Sequence, residues 1–120
     1  MNTPAPPDQG VTFDLTTVAH ELRAEESYHS EGHTARTLTR TSDLRIVLLA
    51  LKAGKTISEH HANVTVSVQT LSGHIRVHLP DRGVDVSEGQ LLVLGAGLSH
   101  DVYAEVDSVF LLTLGWLASK

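Results

Sequence analysis

Gly54-Lys-Thr-Ile-Ser-Glu-His60-His61-Ala62-Asn63-Val64-Thr65-Val66, which runs on to Gly73, and Gly89-Gln-Leu-Leu-Val-Leu-Gly95-Ala96-Gly97-Leu98-Ser99-His100 decide how this chain is read. Each stretch sets a histidine in or beside an apolar, β-rich run, with glycines where the chain must turn. A hydrophobic hairpin separates them. Whether His60 and His100 meet in space therefore governs the functional reading.

Working outward, the flanking sequence is strand-like. Thr34–Thr41 alternates and is rich in β-branched residues. Leu44–Lys52 is an almost continuous apolar run, as expected of a strand buried on both faces. Val64, Val66, Val68 and Thr70 share one strand face, while Thr65, Ser67, Gln69 and Leu71 share the other. Ile75, Val77 and Leu79 alternate with His74, Arg76 and His78, and the last apolar strands fall at 91–94, 100–106 and 108–116. Upstream, Leu15, Val18, Ala19 and Leu22 lie at helical spacing behind a capping Asp14 or Thr16, which predicts an amphipathic helix over about 14–27. Ser27–Gly32 is polar and is expected to break it. Residues 1–13, with three of the four prolines, read as an extended arm. One helix followed by eight or nine short strands with turns between them means an antiparallel sandwich or barrel, here over about 34–117 within a single domain, 14–120.

Composition excludes several classes. The net charge is −5 and Lys/Arg do not cluster, so nucleic acid is not an expected partner. The absence of cysteine removes disulfides, thiolate metal sites and thiol nucleophiles, and suits a cytoplasmic location. The N-terminus lacks the basic and apolar regions of a signal peptide. The apolar runs are too short to span a bilayer as helices, so no membrane is expected.

The two stretches together resemble the cupins, a jelly-roll family whose two motifs bracket a metal site. The first family motif is Gly, five residues, His-x-His, three or four residues, Glu, six residues, Gly. Gly54, His60 and Gly73 match it, whereas Ala62 stands at the second histidine and Val66 at the glutamate. In the second motif Gly89, Gly97 and His100 match, with Gly95 at the proline and Ala104 at the asparagine. The resemblance implies an all-β, cupin-type jelly-roll barrel with a short N-terminal helix. It also implies a small ligand held near His60 and His100, with Ala62, Val66, Val68 and Val102 around it.

Two functional readings stand side by side. In one, the barrel binds a small molecule, without catalysis, and the two histidines orient it by hydrogen bonding. In the other, His60 and His100 ligate one divalent transition metal (Zn, Fe, Mn or Ni) in an enzyme of dioxygenase or isomerase type. Such a metal takes three or four N/O ligands, so a third would come from His61, Glu59 or Gln69, or from a side chain on another strand. Strict alternation turns His61 and Gln69 away from the face of His60 and Val66 unless the strand is bulged. No nucleophilic triad is expected from Ser99-His100-Asp101, because adjacent strand residues point to opposite faces. His74 and His78 read as a solvated or subunit-facing surface, and His20, His29 and His33 as surface residues, with His33 alone in reach of the barrel mouth. The apolar surface of 46–51 and 108–116 exceeds what one small barrel needs inside. A second copy, in a homodimer, or the N-terminal helix must cover it.

Overall fold

The structure is a computed structural model that describes residues 7–60 and 63–115, with Glu59 and His60 described by their backbone. After a 3₁₀ turn at Pro7–Gln9 come helices α1 (Leu15–Arg23) and α2 (Glu26–Glu31). Nine strands follow among the described residues: β1 (His33–Arg40), β2 (Leu44–Leu51), β3 (Thr56–His60), β4 (Val66–Ser72), β5 (His74–His78), β6 (Gly83–Ser87), β7 (Leu91–Leu94), β8 (His100–Ala104) and β9 (Ser108–Gly115).

Helix α1 starts where the Asp14 carboxylate accepts the Thr17 N–H at 3.2 Å, which satisfies one of the first-turn donors. The stretch expected to break the helix instead forms α2. Its six residues bury Tyr28 at 5% exposure, and the Lys52 ammonium lies 5.2 Å from the ring centroid. Local polarity suggested a loop there; burial of one aromatic ring outweighs it. Gly32 ends α2 in the left-handed conformation.

The strands form two antiparallel sheets, ordered β1-β2-β9-β4-β7 and β3-β8-β5-β6. They face each other as a jelly-roll sandwich, with no ladder joining the sheets among the described residues. Inner faces supply the main core of Val47, Leu49, Leu51, Val68, Ile75, Val77, Val86, Leu94, Val102 and Phe110. The buried Thr70 hydroxyl donates to the Val86 carbonyl at 2.8 Å and so ties one sheet to the other. A second core lies outside the five-stranded sheet, where Ala19, Leu22 and Tyr28 pack on Leu48, Ala50 and Val109. This explains the continuous apolar run of β2: odd positions face the main core and even positions lie under the helices.

One closing glycine is required by geometry. Gly73 turns β4 into β5 at φ 88°, and a Cβ there would lie 2.5 Å from the Asp107 carbonyl oxygen and nearer still to the Ser108 hydroxyl. The Ser108 hydroxyl accepts the His74 N–H at 3.0 Å, so the turn is packed from both sides.

The connections 41–43, 79–82 and 95–99, and residues 63–65 before β4, all lie at the same end of the sandwich. β3 leaves this end at His60 and β4 returns at Val66; β7 leaves at Leu94 and β8 returns at His100. We call this end the mouth.

Candidate functional site

A β-bulge builds the centre of the mouth. Ile57 pairs with Val102, yet the next partners are His60 and His100, so three steps along β3 match two along β8. Regular pairing would have set Glu59 opposite His100. The extra residue instead brings the backbones of His60 and His100 into direct register. The two sequence stretches singled out by their glycines and histidines thus converge at this one point.

His100 is 8% exposed, and its Nδ1 lies 3.1 Å from the Leu98 carbonyl oxygen. A carbonyl can only accept, so Nδ1 carries the proton in this bond and, in the uncharged ring, Nε2 presents a lone pair. Gly97, at φ 82°, lies in the turn that sets the Leu98 carbonyl beside Nδ1. The imidazole is oriented by its own loop and presents one nitrogen for work.

The other expected pocket residues divide by depth. Val66, 4% exposed, pairs with Leu94 on one side and Leu114 on the other at the mouth row. Val102 lies one inward-facing position deeper than His100 along β8, and Val68 is fully enclosed, one inward-facing position deeper than Val66. Both valines belong to the packed core. Ala62 and His61 fall outside the described residues. Gln69 pairs with Leu91 and Leu111, at the parity opposite to Val66 and Val68, and so stands on the outer face.

Among the described residues, no three His, Asp or Glu side chains gather as a metal site. The family's glutamate position holds the buried, aliphatic Val66. Two imidazole positions supply fewer donors than a mononuclear N/O centre takes. Of the candidate ligands, the described side chains supply the His100 imidazole, while Glu59 and His60 are described by backbone alone and His61 lies outside the described residues.

The remaining histidines lie elsewhere. His74 Nε2 is 3.3 Å from Asp85 and His78 Nδ1 is 3.3 Å from Asp101, all on the outer face of the four-stranded sheet. The Asp85 carboxyl is held below its ordinary pKa, first by the hydrogen bond from Arg76 and then by that with His74. His33 pairs with Leu51, at the end of the sandwich opposite the mouth, so it does not reach the histidine pair. A depression of about 300 Å³ lined by Val84, Val86 and Leu92 opens along the β6–β7 seam, away from His100.

One mouth residue escaped the sequence reading. Arg45 has the parity of Val47, Leu49 and Leu51, which all face the main core, and it pairs with Leu114, which packs against that core. It is the one charge within the apolar run of β2. That break in the pattern was the available signal.

The sandwich order, the two glycine-histidine turns at one end and the helix on the outer face together decide the fold. The chain has the cupin fold. Solved structures that it resembles include a conserved protein of unknown function from Streptococcus pyogenes, with 27% identity, TM-score 0.73, and coverage of 100% of this chain and 97% of that one. A cupin superfamily protein from Desulfitobacterium hafniense superposes with TM-score 0.67 at 17% identity over 72% of this chain and 78% of that chain. Salicylate 1,2-dioxygenase from Pseudoaminobacter salicylatoxidans, solved as adducts with gentisate, gives TM-score 0.75 at 14% identity over 85% of this chain. The match spans 32% of the dioxygenase chain. Solved structures of this shape thus include an enzyme and a protein of unknown function alike. No protein-family model matches the sequence. No curated protein matches it either.

Proposed function

We propose that this protein binds a small molecule at the mouth of its cupin sandwich, with His100 and His60 orienting the ligand by hydrogen bonding and without catalysis. The observation that carries this reading is the β3 bulge, which sets His60 opposite His100 while the Leu98 carbonyl holds the His100 ring with Nε2 available. Val66, Leu94, Leu98 and Leu114 supply apolar walls of the kind that small-ligand sites use around a few polar groups. The lack of cysteine supports a cytoplasmic setting.

A second reading, a metal-dependent enzyme of dioxygenase or isomerase type, draws support from the same pairing, since two imidazole positions side by side are two metal donors. Metal content separates the two. The untagged protein and a His60→Ala/His100→Ala variant are incubated with Zn, Fe, Mn or Ni, desalted and assayed for bound metal. The binding reading expects well below one equivalent in both proteins. Near-stoichiometric metal in the parent, lost in the variant, would overturn it in favour of the metalloenzyme.

We also propose a homodimer formed through the outer face of the five-stranded sheet. Leu91 and Val93, each 59% exposed, lie on its edge strand β7. Their row partners Gln69 and Ser67 bring no charge to the strip.

A further inference from the structure

Three of the described arginines are paired with carboxylates. Arg36 reaches Glu21 at 2.6 Å and Glu25 at 3.0 Å, Arg76 reaches Asp85 at 3.0 Å, and Arg82 reaches Asp81 at 3.2 Å. Arg45 makes no ion pair among the described residues. Its Nη2 donates to the Thr37 hydroxyl at a long 3.5 Å, and its Nε is buried with no hydrogen-bond partner. A buried Nε–H in that state carries a desolvation cost that an acceptor on a ligand can relieve.

Its position says which ligand. The inner-face row at the mouth runs Arg40, Arg45, Leu114, Val66, Leu94 across five strands. Arg40 and Arg45 are direct cross-strand partners in this row. The rest of the row is aliphatic, and the His60–His100 pair closes the same end from the opposite sheet. We propose that Arg45 binds the carboxylate of a small monoanionic ligand whose apolar body lies against Val66 and Leu114. This rests on the reading of the mouth as a ligand site and narrows its ligand class. The planar guanidinium fork matches a carboxylate with two parallel N–H donors, a geometry that a lysine ammonium does not offer. The imidazole Nε2 of His100 is then free to meet a polar substituent on the same molecule.

The test uses benzoate, phenylacetate and butyrate, each beside its neutral amide, with inorganic phosphate as a charged probe lacking an apolar body. Binding to the full chain is followed by calorimetry and by perturbation of the His100 ring and Arg45 Nε resonances, in the parent, Arg45→Gln and Arg45→Lys. At least one carboxylate is expected to bind and to shift both resonances, with its amide and phosphate at least tenfold weaker. Arg45→Gln should weaken that carboxylate at least tenfold, and Arg45→Lys should restore part of the loss. Equal binding of acid and amide, or unchanged affinity in Arg45→Gln, would overturn the role of Arg45 while leaving the mouth as a ligand site. Phosphate binding as tight as the best carboxylate would overturn the ligand class. Should no probe perturb the His100 resonances at millimolar concentration, the ligand-site reading falls together with this one. Melting temperatures of the three proteins guard against a folding defect; a lower melting temperature in Arg45→Gln with unchanged probe affinity would make Arg45 a structural residue and also overturn the proposal.

Discussion

His100 shows how a single hydrogen bond sets chemical potential at the residue scale. With Nδ1–H directed at the Leu98 carbonyl, the uncharged ring holds its lone pair on Nε2. Long-range ¹H–¹⁵N spectra at a pH where the ring is uncharged should show the Nδ1–H tautomer; a dominant Nε2–H tautomer would sink the orientation argued here. Gly73 is the residue-scale counterpart in the backbone. Alanine at φ 88°, with its Cβ forced against the Asp107 carbonyl, should cost about 3 kcal/mol, measured by chemical denaturation. A cost below about 0.5 kcal/mol would mean that the turn relaxes freely. The glycine and histidine spacings were legible in the sequence because each is a local requirement. The role of Arg45 was not, because the sequence does not say which end of β2 meets which strands.

At the scale of elements, the contacts that dock the helices onto the sheet carry an electrostatic signature. Glu25, which precedes α2, accepts the Thr34 hydroxyl at 2.6 Å and an Arg36 N–H at 3.0 Å, both from β1. These bonds, Thr34 first and Arg36 second, lower the Glu25 pKa in the folded protein. A carboxyl with a depressed folded pKa contributes stability above its unfolded pKa, about 4.3, and loses it as pH falls through the folded value. Melting temperature should therefore fall less steeply with pH below about 4.3 in Glu25→Gln than in the parent. Superimposable acid limbs would show that the bond is solvent-screened and contributes nothing. The same region shows where local reading stops. Ser27–Gly32 carries no helical apolar stripe, and α2 exists because Tyr28 finds a buried place against β2 and α1. The β3 bulge is of the same kind. Its extra residue is a property of pairing with β8, invisible in β3 alone.

For the whole molecule, the open question of the apolar surplus on β2 and β9 has a divided answer. The helices cover Leu48, Ala50 and Val109, which removes most of the need for a partner on that side. The strip beyond them on β7, Leu91 and Val93, is what remains for a second copy. Sedimentation velocity of the full chain should show a dimer that shifts toward monomer in Leu91→Lys/Val93→Lys. Monomeric parent protein at tens of micromolar would reject the homodimer outright, and a dimer untouched by the double variant would move it to another face. The sequence by itself determined the strand pattern, the turns and the two histidines, because alternation, β-branching and left-handed glycines act over a few residues. Only the tertiary structure decided that His60 and His100 share a register, that Val66 is buried in the mouth row, and that Arg45 faces the same mouth. Those facts depend on strands far apart in the chain, whose pairing is set by the global burial of apolar surface rather than by any local signal.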